Sequence, residues 1–552
     1  MTPRAFRPFV LHALLGTLLS LVPQLAAAGR APVAVTPVRR VPARPAASAA
    51  LRVPSGLERD TLAWAGESAI TALDLVQRIE WMPWLEKRGA STLDSAKARA
   101  LESLVAEALL AQESRREAPG DSLTPMRAAL ERALMRDALY QQVVDSVPVP
   151  TAERVARLVR TRYPGAPAAE LPGLRHTVRD SLVAMASALR AGEFMMQQLA
   201  GVRVQVDSST FTLLADSLRA FMVLANEPRN PGVGYRVPAE APDALTRMLA
   251  ASLGRTLARM PGEPLTLRGA LEDMRFYPFV MRSLEPAAFA SELSRCLRHI
   301  VEGEVMAREG ARRHLDRLPA VQHDLRLWTV AWRAEHVLYR LGQDANASDE
   351  ETIRSLALHD PEDARELCDV DLSEILCGTR AEATEIAGEI ALGARFDSLA
   401  TRRSRRSEWA VRGGRSGWFP VHDRPELGAL ALLSLPDSLA GPYRLAEGFS
   451  LIRVHGKRMN PDSVRDIPLF ERARARATGE KRLHAIATHV AELANHTDVR
   501  MDLAALKRVE ILESNMVVKR TLGFGGGMTA APSLAPMWHW VPQWRGRAAP
   551  LP

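Results

Sequence analysis

Cysteine is nearly absent. Only Cys296, Cys368 and Cys377 occur in 552 residues, and an odd, sparse count excludes a disulfide framework. A single bridge between Cys368 and Cys377 stays open; isolated thiols filling a core are the other reading. Long apolar runs are missing too. Beyond the first residues, no window reaches the 18 or so apolar residues that span a bilayer. No glycine-rich loop is followed by Lys-Ser/Thr, so Gly523 to Gly527 is no phosphate loop and reads as flexible tail. His314 and His323 lack the spacing or acid partners of a metal site. No Ser/His/Asp set suggests a nucleophile. No cofactor and no metal is expected.

The body also lacks an excess of positive charge, although the chain as a whole carries +8. Arg4 and Arg7 stand in residues 1–28. Arg30, Arg39, Arg40, Arg44 and Arg52 stand in residues 29–52, and Arg545 and Arg547 near the end. None of these stretches holds an acid, so residues 53–520 carry about −1. A nucleic-acid groove needs its Lys and Arg on the folded part, so no nucleic-acid partner is expected.

What is present begins with an export signal. Arg4 and Arg7 precede a short apolar run from Phe9 to Val22, and Leu25-Ala26-Ala27-Ala28 offers small residues for cleavage. A retained anchor is the alternative. Residues 29–55, rich in Ala, Pro, Val and Arg, read as an extended linker.

From Asp60 the period is helical. Leu101, Leu104, Val105, Ala108 and Leu109 form one apolar stripe. A repeat is visible. Gly66-Glu67-Ser68-Ala69-Ile70-Thr71 returns, one residue shorter, as Gly262-Glu263-Pro264-Leu265-Thr266. The same offset carries Leu101, Leu104 and Val105 onto Leu297, Ile300 and Val301. A second pair, Val204 to Asp207 and Val499 to Asp502, follows long helices. These words predict two related helical modules, the first over 56–220. The second covers 221–369 and resumes at 461–514 with a returning helix and strand. Residues 515–552 are expected to be a flexible tail, with Trp538, Trp540 and Trp544 either interfacial or packed back. Met185, Phe194, Met195 and Met196 form one Met-rich cluster. Met260, Met274, Phe276, Tyr277, Phe279 and Met281 form another. Each is ordinary packing or an adaptable client surface.

Residues 370–460 read differently: strand from Leu372, helix from Arg380, helix from Phe396, glycine turn into a strand, helix from Pro425, then a closing strand pair. Gly413-Gly414-Arg415-Ser416-Gly417-Trp418-Phe419, Pro425-Glu426-Leu427 and Gly448-Phe449-Ser450-Leu451-Ile452-Arg453-Val454 carry a resemblance. In this order they resemble the parvulin (PpiC-type) peptidyl-prolyl isomerase domain. Gly393-Ala394-Arg395-Phe396 adds to it. The whole plan, over roughly residues 60–514, is similar to SurA- and PrsA-type exported folding factors.

The resemblance implies an α+β chain: helical chaperone modules, duplicated, with a small inserted parvulin-like α/β domain. It implies a periplasmic folding factor whose partners are unfolded envelope polypeptides. It also implies client contacts at Trp418, Phe419 and Phe449. The departures fall in the pocket. Glu374 replaces the first His, Asp423 the Met, Leu427 the Phe and Ser450 the second His. The family's Asp or Cys falls on Arg406 or Ser407, depending on a gap, and Ser407 is the position assigned. His455 lies five residues past Ser450, on the opposite face by strand alternation. Prolyl isomerisation faces a barrier of about 18–20 kcal/mol, and charged side chains in the cup would hydrate it. A fold retained with little isomerase activity is the expectation; a working isomerase with an unusual pocket is the alternative.

Overall fold

The computed structural model describes residues 56–57, 60–85, 87, 93–117, 123–225, 233–277, 279–343, 345–460 and 467–546. The expected export signal and the linker fall outside the described residues, apart from the first residues of the body. The chain opens with strands β1 (Thr61–Ala65) and β2 (Ser68–Thr71) and helices α1 (Ala72–Glu80), α2 (Leu93–Glu117), α3 (Thr124–Val144), α4 (Ala152–Arg162) and α5 (Leu171–Leu199). Then come β3 (Gln205–Val206), α6 (Ser208–Ala225), β4 (Tyr235–Arg236), α7 (Ala241–Met248), β5 (Thr256–Arg259), β6 (Leu265–Thr266), α8 (Leu267–Met274), β7 (Val280–Met281), α9 (Pro286–Arg312) and α10 (Pro319–Gln343).

Two short helices follow, α11 (Asp349–His359) and α12 (Pro361–Leu367), and then β8 (Cys368–Cys377), α13 (Arg380–Ala391), α14 (Phe396–Arg403), α15 (Ser407–Ala410), β9 (Arg415–Pro420), α16 (Pro425–Leu433), β10 (Leu439–Leu445) and β11 (Gly448–Met459). The chain closes with α17 (Ile467–Asn495), β12 (Val499–Met501), α18 (Leu503–Arg508), β13 (Lys519–Thr521), β14 (Gly527–Thr529) and α19 (Trp540–Trp544). The chain is therefore α+β, mostly helical with several small sheets.

It divides into two compact units. One holds residues up to Val337 together with Thr497–Pro536; the other holds Leu338–His496 and the residues from Met537. In the first unit, two hairpins obey the same local rules. β1 pairs with β2 and β5 with β6, and the register slips at matching places, between Thr61 and Ala63 and between Thr256 and Ala258. Thr71 and Thr266 end these hairpins as N-caps, accepting from the Asp74 amide at 3.2 Å and the Gly269 amide at 3.1 Å. An extended Thr with its hydroxyl on the N3 amide both stops a strand and starts a helix. Gly66 and Gly262 take left-handed φ of +56° and +82° at the turns, which glycine adopts without a steric penalty.

Each hairpin gains its third strand from far away in sequence, and crosswise. β3, which follows the first long helix α5, pairs with β5; β12, which follows the second long helix α17, pairs with β1. Beyond each strand an aspartate repeats the same two contacts. The Asp207 amide donates to the Leu257 carbonyl at 2.9 Å and the Asp502 amide to the Leu62 carbonyl at 2.8 Å. Each carboxylate then caps the next helix, Asp207 at Thr210 and Asp502 at Ala504 and Ala505.

One large core is shared by both halves: Leu130, Leu134 and Leu218 pack in the same cluster as Leu257, Leu271, Phe289 and Leu297. The expected boundary at 220/221 therefore does not separate two compact modules. Period and propensity mark a strand, but not which partner it will find.

The expected flexible tail is also corrected. β13 and β14 pair, and Leu522, Ala530, Ala531 and Trp540 are buried. Gly523, Gly525 and Gly526 lie in the turn of that hairpin, and Gly527 opens β14. The Asp137 carboxylate accepts from the Gly523 amide at 2.9 Å and binds the Arg520 guanidinium at 2.6 Å, while Asp324 takes its other arm. Arg136 donates to the Gly523 and Gly525 carbonyls. A Cβ on Gly523 would stand 2.0 Å from that of Tyr140, so the glycine serves close approach rather than looseness.

The second Met-rich cluster is ordinary packing: Met260, Met274, Phe276, Tyr277, Phe279 and Met281 all lie in the shared core. The first cluster splits. Phe194 is buried, whereas Met185 and Met196 are exposed. Cys296, Cys368 and Cys377 are free thiols. Cys368 and Cys377 stand at opposite ends of the ten-residue β8, so no bridge joins them.

Candidate functional site

In the second unit an antiparallel sheet runs in the order β10-β11-β8-β9. β8 is buried along its whole length, as a strand flanked on both edges and both faces must be. Its side chains alternate. Cys368, Val370 and Leu372 join a cluster with Trp409, Leu427, Ile452 and Val454; Ile375 and Cys377 join another with Ala383, Ile386, Phe396 and Leu399. Glu374 follows Leu372 by two residues and so shares its face. On β11, Ser450 precedes Ile452 by two and shares the same face.

That parity brings Glu374 and Ser450 together. Both are 0% exposed and Leu427 is 3% exposed. Ser450 Oγ donates to Glu374 Oε1 at 2.8 Å. Arg406, at the N-terminus of α15, donates through Nε to Glu374 Oε2 and through Nη2 to Glu374 Oε1 at 3.4 Å and to Glu447. Its guanidinium lies 4.9 Å over the Trp409 ring, and so does that of Arg424, which in turn binds Glu408 at 2.6 Å. Burial by itself would lower the pKa of Arg406; its hydrogen bonds to Glu374 and Glu447 outweigh that and raise it. The hydrogen bond from Arg406 holds the Glu447 carboxyl below the usual carboxylate range.

The remaining expected positions are dispersed. Ser407 is exposed, and its neighbour Arg406 is the residue that enters; a short helix beginning at Ser407 turns one side chain in and the next out. Asp423 is exposed beside His422 and does not reach Glu374. Leu427 is on α16, in the cluster beneath the sheet. Trp418, 44% exposed, lies under the Arg458 guanidinium at 4.4 Å and against Gly456. Phe419 points into the sheet's other side, 5.9 Å from Trp409. Phe449 packs half-buried against the Ile375 cluster. Trp418 pairs with Asp371 and Phe449 with Cys377. Those partners are six residues apart on β8, about 20 Å along a strand, so the three aromatics form no single patch. His455 bonds Ser373 at 2.8 Å, away from Glu374.

Sequence reasoning missed Glu447 and Trp409 and assigned Ser407 where Arg406 stands. The signal for Arg406 was available: a buried carboxylate needs a cation, and Arg406 is the cation within the gap's uncertainty. Chemically, the arrangement is a satisfied ion-pair network. It offers neither an apolar cup nor an imidazole. Among the described residues, no group of three or more His, Cys, Asp or Glu converges to hold a metal ion. No helix among them is long and apolar enough to cross a membrane.

No protein-family model matches the chain, and no curated protein matches its sequence. Solved structures do show likenesses. The parvulin domain of PpiD from E. coli is 26% identical, covering 17% of this chain and 92% of that one, with a TM-score of 0.16. PrsA from Bacillus subtilis is 17% identical, covering 34% of this chain and 69% of that one, with a TM-score of 0.16. A structure reported with two SurA-like chaperones of Campylobacter jejuni is 16% identical, covering 38% and 86%, with a TM-score of 0.18. TM-scores this low do not establish a shared overall fold.

Proposed function

We propose that the chain is an exported folding factor that binds unfolded envelope polypeptides, and that its parvulin-like domain over 370–460 does not catalyse prolyl isomerisation. One observation carries the second half: the place where the isomerase cup would open is occupied by the Glu374–Arg406 ion pair and Ser450, all buried. A twisted prolyl imide needs a dry, apolar seat with directed hydrogen bonds. A carboxylate held by a guanidinium already spends its lone pairs, and opening it would leave charges unpaired.

The helical body is read as two copies of one module that have exchanged their last strands. The matching register slips, threonine caps and aspartate contacts support that reading. Removal of the export signal at Ala28 is part of the same proposal and places the working protein in the periplasm.

Two assays on the full chain test it. Isomerisation of a proline tetrapeptide is expected to proceed at the uncatalysed rate, while aggregation of an unfolded test protein is delayed. A rate well above the uncatalysed one establishes the alternative, an active isomerase with an unusual pocket. Failure to delay aggregation or to bind unfolded chains removes the chaperone reading.

A further inference from the structure

On the face of the parvulin-like sheet opposite Glu374, three side chains from separate parts of the chain stand in line. Ser373 on β8 and His455 on β11 share a hydrogen bond of 2.8 Å between Oγ and Nε2. The other ring nitrogen, Nδ1, faces Asp437 Oδ1 at 3.9 Å. Spacing along the chain does not announce the set, because a strand, a bulge and a loop supply one residue each.

Local structure accounts for each placement. β8 and β11 pair in register at Ser373 and Arg453, and the register slips between Val454 and Gly456. His455 is the extra residue of that slip, and bulges of this kind re-aim a side chain. Asp437, just ahead of β10, has a φ of +55°, a left-handed backbone that only a few per cent of non-glycine residues adopt. Its amide donates to the Val454 carbonyl at 2.8 Å, and Pro436 bridges the same residue. These contacts pin the aspartate beside the bulge. Backbone strain held in this way clusters at functional sites.

A further observation concerns Arg453. It stands opposite Ser373, which puts the two Cβ atoms about 4.5–5.5 Å apart on one face. Its Nε is buried and has no hydrogen-bond partner among the described residues, while its guanidinium lies 5.3 Å over the Phe396 ring. A buried donor without an acceptor is rare and calls for an explanation. Beside a serine hydroxyl, negative charge developing on a carbonyl oxygen supplies the acceptor. The face is open here. Ser373 itself is 7% exposed, but Arg415, opposite it on β9, has a side chain 58% exposed, and that of Asp437 is 83% exposed.

We infer that Ser373, His455 and Asp437 form a nucleophilic-serine site that hydrolyses carboxylic esters. The inference is independent of the folding-factor reading. With its proton on Nδ1, towards Asp437, His455 leaves Nε2 to accept from Ser373 Oγ. A lone pair of Oγ bonds the acyl carbon as the Oγ proton passes to Nε2. Arg453 stabilises the oxyanion. The ester C–O bond then breaks, and the alcohol leaves with its electron pair and the proton from Nε2. Water attacks the acyl-serine next, giving a proton to Nε2, and the acid leaves as that proton returns to Oγ. Nothing is oxidised or reduced. The 3.9 Å between His455 and Asp437 exceeds a hydrogen bond; catalytic contacts of this type tighten when substrate is bound. Asp437 acts through His455 and is a positioning residue.

The test uses the full chain, p-nitrophenyl acetate as substrate and a fluorophosphonate as covalent probe. One phosphonate per chain is expected, on Ser373 by peptide mapping, together with steady turnover of the ester. Ser373→Ala abolishes the label and lowers kcat about a hundredfold or more. His455→Gln, at an exposed bulge position, does the same without touching the nucleophile. Asp437→Asn lowers kcat at unchanged KM, and Asp437→Glu restores part of it, a split that a merely structural role would not produce. Unfolding midpoints close to the parent's show that the variants are folded.

An unlabelled Ser373, or a label on another residue, overturns the inference. So does turnover that survives in folded Ser373→Ala or His455→Gln, and so does labelling without ester turnover. Aggregation assays on the same chains report on the folding-factor reading separately: a parent chain that turns over ester but protects no unfolded protein removes that reading and leaves this site standing.

Discussion

Ser450 on β11 donates a 2.8 Å hydrogen bond to Glu374 on β8, and neither side chain has any exposed surface. The pair sits where the resemblance implies two histidines. With Arg406 it forms a buried network in which the donors and acceptors named satisfy one another. Such a network is stable only as a whole.

Removing one member of the ion pair is therefore expected to cost much more than removing both. Arg406→Leu leaves Glu374 as an uncompensated buried charge and lowers stability by about 3–5 kcal/mol. Combining Glu374→Leu with Arg406→Leu costs less than either single change. Urea unfolding of the four chains in the cycle measures this; additive effects would contradict the network.

Arg520 ties the C-terminal hairpin to two carboxylates, and Arg136 holds its turn through backbone carbonyls. Arg520 binds both Asp137 and Asp324, and Arg520→Ala leaves two largely buried carboxylates without it. The expected loss is of order 3–5 kcal/mol, with faster amide exchange over residues 519–529. Gly523→Ala acts at the same place by steric means, because of the 2.0 Å approach to Tyr140. Exchange rates that match the parent in both variants would show the hairpin is held otherwise.

One carboxyl makes stability fall as pH rises. Burial, with Asp243 and Glu107 nearby, pushes Glu335 up to about 7 from the usual 4.5. A group whose folded pKa is raised binds its proton more tightly in the folded state. Its contribution is complete below about pH 4.5 and is lost as pH rises towards 7. Glu335→Gln is thus expected to melt higher than the parent at pH 8 and at the same temperature at pH 4.5. Equal melting temperatures at both pH values would refute it.

The thiols are expected to be inert. Burial pushes Cys368 up to about 12 and Cys377 up to about 11, so little thiolate forms near neutral pH. Alkylation of the folded chain should leave both unmodified until urea is added, and reductant should not shift the unfolding midpoint.

Much of this was legible in the residues. Within 370–460 the helices starting at Arg380, Phe396 and Pro425 and the strands closing at Gly448 stand where periodicity and glycine punctuation put them, because those signals act over a few residues. Positions 374 and 450 were named through the resemblance; the pairing of β11 with β8 is what puts them on one face. Arg406 was legible only in part: a one-residue gap left it level with Ser407, and the need of a buried carboxylate for a cation was the sole signal that favours it. The tail failed for a related reason. A glycine run looks loose until Tyr140, more than 380 positions away in sequence, is known to stand against it.

The sequence by itself determined the local grammar: amphipathic helices, a short apolar strand from Leu372, glycine-punctuated turns, and a repeated hairpin word. The tertiary structure alone decided the partners. It crossed β3 onto β5 and β12 onto β1, seated Arg406 on Glu374, and set His455 against Ser373. The reason is range. Capping, turns and side-chain alternation depend on neighbours along the chain, whereas strand pairing and charge pairing are settled by whichever complementary group arrives in space.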